Sequence, residues 1–78
     1  MTARICLLGA TGTIGRAALL ALTRRGHDIV CFVRPRPGGA PVIGGAEARM
    51  VDMADPGAIA RDGFRGEPFD AVVSCMAS

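Results

Sequence analysis

A chain of 78 residues, half of them hydrophobic and carrying a formal charge of only +2, is long enough for one small domain and too apolar for a disordered segment. Its nine basic residues are scattered arginines with no run longer than Arg24-Arg25, which argues against nucleic acid as a partner, since no phosphate-tracking stripe is formed. No apolar stretch reaches the ~18 residues of a membrane span, and no charged segment followed by a long apolar run opens the chain, so a cytoplasmic location is expected.

Taken in order, the pattern alternates between strands and helices. Residues 4–8 (Arg-Ile-Cys-Leu-Leu) form an apolar run of strand length. A helix is expected from Thr13 to Arg25, because Ile14, Ala18, Ala21, Leu22 and Arg25 recur at helical spacing and offer a stripe to a sheet. Arg24 and Arg25 complement the helix dipole, and Gly26 supplies a left-handed C-cap. Residues 28–33 read as a second buried strand. The segment 34–41 (Arg-Pro-Arg-Pro-Gly-Gly-Ala-Pro) reads as a surface loop, since its prolines cannot join a ladder. A weaker third strand is expected over 47–51, and Asp55-Pro56 is an N-cap with proline at the first helical position, opening a short helix over 56–62. Residues 69–75 read as a fourth strand. Cys6, Cys31 and Cys75 fall one in each of three of these strands with no metal-ligand spacing, so they read as buried small hydrophobes. His27, between Gly26 and the second strand, reads as an exposed turn residue.

This order is that of an α/β parallel unit, and right-handed crossovers give a sheet of about four strands in the order 3-2-1-4 with flanking helices. The first strand is then central. A crevice opens beside it at the carboxyl ends of strands 1 and 4, and ligands of such sheets bind at this point. Gly9, Gly12 and Gly15, together with residues 74–78, are expected to line it.

The stretch Gly9-Ala10-Thr11-Gly12-Thr13-Ile14-Gly15 follows a strand and opens a helix, the setting in which glycines let a pyrophosphate approach backbone N–H groups at a helix N-terminus. Gly9 turns the chain out of the strand, Gly12 admits the phosphates, Gly15 brings the helix close to the sheet, and Thr11 and Thr13 add hydroxyls. The same residues also suit a plain strand-to-helix turn. At the end of the second strand an acidic residue would accept the ribose hydroxyls of NAD, whereas an arginine suits the 2'-phosphate of NADP. Arg34 stands there and Arg36 follows. Both present the planar fork that matches phosphate, although solvated loop arginines would look the same. Asp52 and Met53 end the third strand, where a carboxylate meets an adenine amino group or serves a turn.

The stretches GATGTIGR (9–16), RRGHDIVCFVRPR (24–36), VDMADP (51–56) and FDAVVSCMAS (69–78) resemble the N-terminal part of atypical short-chain dehydrogenases/reductases. Within that group they are most similar to the divinyl (proto)chlorophyllide a 8-vinyl reductase family, with Met76 where its members carry leucine. The resemblance implies a truncated Rossmann-type domain, with residues 1–78 as its N-terminal part and the C-terminal remainder outside the sequence. It implies NADP(H) as cofactor, and hydride transfer to the 8-vinyl group of a chlorin pigment, in chlorophyll or bacteriochlorophyll synthesis, by the full-length parent. By position it assigns the pyrophosphate to Gly9, Thr11, Gly12, Thr13, Ile14 and Gly15, and the 2'-phosphate to Arg34. Asp52 and Met53 flank the adenine, and Cys75, Met76 and Ala77 lie against a ribose.

The sequence departs from this group in one respect that bears on catalysis. Such reductases commonly use a tyrosine whose pKa is lowered by a lysine, and this chain contains neither. The 78 residues alone are therefore expected to be inactive, and to expose an apolar edge at the fourth strand through which they associate. Two non-catalytic readings stand beside the reductase: an NmrA-like NADP(H) sensor, and an assembly protein of the same superfamily.

Overall fold

The computed structural model describes residues 2–39, 43 and 45–75. Four parallel strands, β1 (Arg4–Leu8), β2 (Asp28–Val33), β3 (Glu47–Met50) and β4 (Ala71–Ser74), form one sheet in the order β3-β2-β1-β4. This is the expected order. The register runs Leu8 beside Phe32 on one side and Ser74 on the other, which aligns the carboxyl ends of β2, β1 and β4 at one rim.

Alternation along the strands divides the core between two faces. Ile5, Leu7, Ile29, Cys31 and Val33 pack under Leu19 of helix α1 (Thr13–Arg24). Cys6, Val30, Phe32 and Val51 form the other face, covered by a helical segment that begins as α2 (Pro56–Ala58) and widens into a π-helical turn, α3 (Ile59–Phe64). The expected single helix over 56–62 is thus two geometries in succession. Its start is as read: the Asp55 side chain accepts from the Gly57 N–H at 2.9 Å, with Pro56 in the first turn. On this face Phe32, Phe64 and Phe69 meet edge to face, with centroids 5.1 to 6.5 Å apart, an arrangement worth ~0.5–1.5 kcal/mol per pair beyond burial.

Helix α1 is rotated from its expected orientation. The residues turned to the sheet are Gly15, Ala18, Leu19 and Leu22; Ala21 and Arg25 face solvent, and Ile14 is 73% exposed. Gly15 is the cause. A Cβ built on it would lie 1.9 Å from the carbonyl oxygen of Gly9 and 2.8 Å from the Cα of Ala10, so the helix rests its backbone on the turn at that position and every other residue follows. At the far end Gly26 takes φ +82°, and the N–H groups of Gly26 and His27 return to the carbonyls of Thr23 and Leu22, the Schellman closure. His27 is not an exposed turn residue as expected: it is half-buried, and its Nδ1 accepts from the Ala3 N–H at 3.1 Å. The N-terminal strand approaches this close because the helix end and β1 share that rim.

One buried charge was invisible in the sequence. Arg49 of β3 is only 4% exposed, and its guanidinium donates to the carboxylates of Glu47 and Glu67 and to the Gly63 carbonyl. Burial alone would weaken its charge, but the two carboxylates outweigh that effect and hold it protonated. Glu67 also pairs with Arg4, whose guanidinium lies 4.7 Å from the Phe69 ring centre. Hydrogen bonds from Arg49 and then Arg4 hold the Glu67 carboxyl below the usual carboxylate range.

The fourth strand is shorter than the expected 69–75, and it forms one edge of the sheet with Val72 54% exposed. Cys75 therefore lies past the strand and is only half-buried, in contrast to Cys6 and Cys31, which are fully enclosed. Burial pushes both enclosed thiols up to about 11, reinforced at Cys6 by the neighbouring Cys31.

Two outcomes are expected of this packing. Gly15→Ala should destabilise the chain by ~3 kcal/mol or more, since its Cβ meets backbone that cannot rotate away, whereas Gly12→Ala, with only the Gly9 oxygen at 3.7 Å, should cost less than ~1 kcal/mol; urea melts compare them. Because the enclosed thiols ionise at about 11 when folded and near 9 when unfolded, the folded state holds more protons between those values. Stability should therefore fall as pH rises from 9 toward 11, and mutating both to alanine should remove that slope in alkaline melts.

Candidate functional site

At the carboxyl rim of the sheet an open cleft of about 1010 Å³ is lined by the turn after β1, the end of β2, the end of β3 and Cys75 after β4. That volume is at the upper end of small-molecule sites, enough for a dinucleotide.

The wall beneath α1 is built by the glycines. Gly9 adopts φ +80°, which turns the chain out of β1 at no steric cost to a residue without Cβ. Gly12 is the N-cap of α1 and has no side chain with which to cap the first-turn N–H groups, and no acidic residue occupies the first helical turn. The N–H groups of Thr13, Ile14 and Gly15 precede the first intrahelical hydrogen bond, from the Arg16 N–H to the Gly12 carbonyl at 2.9 Å, and the positive end of the dipole adds to them. Such a terminus accepts an anion. Gly12 is informative because the fold itself leaves room for a Cβ there: what its missing side chain opens is the path from the cleft to those N–H groups.

Of the thirteen residues expected at the site, ten line the cleft: Gly9, Thr11, Gly12, Thr13, Ile14, Arg34, Arg36, Asp52, Met53 and Cys75. Gly15 does not. It is buried under the helix, because its part is to bring α1 down onto Gly9. Met76 and Ala77 lie outside the described residues, and Ser74 is not among the lining residues.

Arg34 and Arg36 are exposed at the exit of β2, and among the described residues neither is engaged in an ion pair. Two guanidinium groups at one lip of a cleft favour a doubly charged oxyanion. Asp52 is exposed and partly committed: one carboxylate oxygen accepts from the Ala54 N–H at 3.0 Å, so it serves the turn. Met53 is half-buried and rests on the Phe32 face of the core. The sequence did not single out Phe32, Val33, Pro35, Val51 and Ala54, which complete the lining; each stands within two positions of a residue it did single out. Among the described residues no His, Cys, Asp and Glu cluster suits a metal ion, and no helix is long and apolar enough to cross a membrane.

A glycine-paved strand-to-helix turn at the reversal point of a parallel sheet defines a dinucleotide-binding class, and the chain falls within one of its families. Residues 5–78 match the NAD dependent epimerase/dehydratase family, to which this chain belongs. It is similar to the chloroplastic divinyl chlorophyllide a 8-vinyl-reductases of Oryza sativa subsp. indica, at 41% identity over 83 aligned residues, and of Zea mays, at 37%. Each alignment covers 95% of this chain but 20% and 21% of those proteins, so the chain spans about a fifth of their length. The crystal structure of a Burkholderia pseudomallei protein superposes with a TM-score of 0.74 at 32% identity, over 97% of this chain and 32% of that one. The family's description implies a nicotinamide cofactor. Both plant relatives are chloroplastic by name, which lends no support to the expected cytoplasmic location.

Thiol chemistry gives a check on the cleft. In the native chain at pH 8 an alkylating reagent should modify Cys75 first, leaving the enclosed Cys6 and Cys31 until denaturant is added, and NADP+ should slow the Cys75 reaction because that residue lines the cleft; mass spectrometry of the labelled peptides reads both.

Proposed function

We propose that this chain is the NADP(H)-holding part of a reductase of the divinyl chlorophyllide a 8-vinyl-reductase type. The carrying observation is the pairing, in the lining of one cleft, of an uncapped helix N-terminus at Gly12 with Arg34 and Arg36 at the exit of β2.

In this reading the pyrophosphate rests on the N–H groups of Thr13, Ile14 and Gly15, with the Thr11 and Thr13 hydroxyls beside it. Arg34 takes the 2'-phosphate in a charge-assisted fork and Arg36 adds a second cation. Asp52 and Met53 flank the adenine, and Cys75 lies toward a ribose. When bound, the cofactor supplies a hydride, and in the full-length parent the acceptor would be the 8-vinyl group of a chlorin. This chain's own residues bind and orient. No tyrosine or lysine is present to deliver a proton, and the residues 1–78 serve as the cofactor half of a Rossmann domain.

That same composition favours one second reading, an NmrA-like protein that binds NADP(H) and senses it without turnover.

Calorimetric titration tests the proposal. The wild-type chain should bind NADPH at least tenfold more tightly than NADH, since a charge-assisted hydrogen bond is worth ~1.5–3 kcal/mol, and Arg34→Ala should erase that preference. Equal affinity for the two cofactors would overturn the assignment to NADP(H). With divinyl chlorophyllide and NADPH, the 78-residue chain should show no consumption of NADPH at 340 nm.

A further inference from the structure

The wall of the cleft formed by Asp52, Met53 and Ala54 belongs to the segment that runs from the end of β3 into the last turn of α3, and a single buried side chain ties the two ends of this segment together. At its start the Val51 N–H donates to the Val33 carbonyl at 2.8 Å. At its end the Gly63 carbonyl accepts from Nη1 of Arg49 at 2.6 Å. Arg49 lies two residues before Val51, so its guanidinium spans the base of the loop. Glu47 of its own strand and Glu67 beyond α3 hold it in place, the latter at 2.8 Å. Gly63 in turn lies flat against the ring of Phe32, so close that a Cβ would come within 2.5 Å of it, and Phe32 also lines the cleft.

We infer that Arg49 is a positioning residue for the nucleotide site: by holding the Gly63 carbonyl across the base of the 51–62 segment, it fixes where Asp52 and Met53 stand against the ligand. This rests on the reading of the cleft as an NADP(H) site. Arg49 itself does not reach the cleft. Its effect passes through the loop it closes and through the seat of Phe32: deleting one partner of a buried ion pair removes the tie at Gly63 and leaves the segment to its turns at Asp52 and Asp55, the Val51 hydrogen bond and the packing of Met53 and Ile59 on the core.

The titratable groups facing this grip come from several elements, with Glu47 beside Arg49 on β3 and the Cys6 thiol of β1 near the same guanidinium. Glu67 meets Arg49 from β3 and Arg4 from β1; Arg4 also lies 3.4 Å from Asp28, and its backbone N–H donates to Asp70. The Glu67 carboxyl titrates below the usual range because Arg49 and Arg4 hold its anion. The grip is therefore complete above the ordinary carboxylate pKa and is lost as pH falls through the lower, folded value.

The test combines NADP+ affinity with amide hydrogen exchange in the 78-residue chain. Arg49→Met should weaken NADP+ about tenfold, as expected of coupling through a packed loop, and should speed exchange of the amides of residues 52–59 while Cys6 and Leu7 of β1 keep their protection. Unchanged affinity with the 52–59 amides loosened would overturn the inference, and so would loss of protection throughout β1, the mark of a purely structural role. Should Arg49→Met fail to fold, Glu67→Gln decides: affinity should already be reduced at pH 7 and should lack the extra acid-side fall of the wild type, and a profile identical to wild type would overturn the positioning role. Failure of the wild-type chain to bind NADP+, with the local exchange response of Arg49→Met intact, would sink the proposed function and leave the hold of Arg49 on the 51–62 segment supported.

Discussion

Two stretches of backbone meet directly in this fold, Gly15 in the first turn of α1 and Gly9 just past the end of β1. Because neither carries a side chain, the helix settles onto the turn with no more than hydrogen atoms between them, and a Cβ at Gly15 would fall 1.9 Å from the Gly9 oxygen. Rotation of α1 follows from that contact. Leu19 and Leu22 are brought over the sheet, Ile14 is turned out beside the cleft, and the first-turn N–H groups are aimed at the space above the strand ends. Packing and ligand site therefore have one origin.

The two faces of the sheet solve different problems. Beneath α1 the core is aliphatic and closes by ordinary burial. On the other face three phenylalanines pack edge to face beside a buried arginine, a costly group to remove from water unless its partners satisfy it. They do so here, and no buried side-chain nitrogen or oxygen among the described residues lacks a hydrogen bond. The arginine secures a π-helical turn whose last residues would otherwise have carbonyls to spare, and it ties that turn to the strand that ends at the cleft.

Strand order, the three apolar strands' positions and the helix start at Thr13 were legible because each rests on local signals: runs of apolar residues, glycine punctuation, Asp-Pro before a helix. The lining of the cleft was legible for the same reason, since ten of its residues adjoin those punctuation marks and the sheet order brings the marks to one rim. The rotation of α1 was not, because periodicity counts apolar residues and Gly15, the residue that decides the buried face, has no side chain to count. Arg49 was missed because an arginine in a short, weakly patterned strand reads as exposed, and the two glutamates that neutralise it stand 2 and 18 positions away. His27 was misread because its partner, the Ala3 N–H, lies 24 positions away.

In the function proposed for it, the cleft above β1 receives NADP(H) on the N-terminus of α1. A titration of the 15N-labelled chain with NADP+, followed by amide chemical shifts, tests it most directly. The account predicts shifts concentrated at Gly12, Thr13, Ile14 and Gly15, with a second group at Arg34 and Arg36 that is weaker with NAD+. Saturating NADP+ that leaves the first-turn amides of α1 unmoved would contradict it.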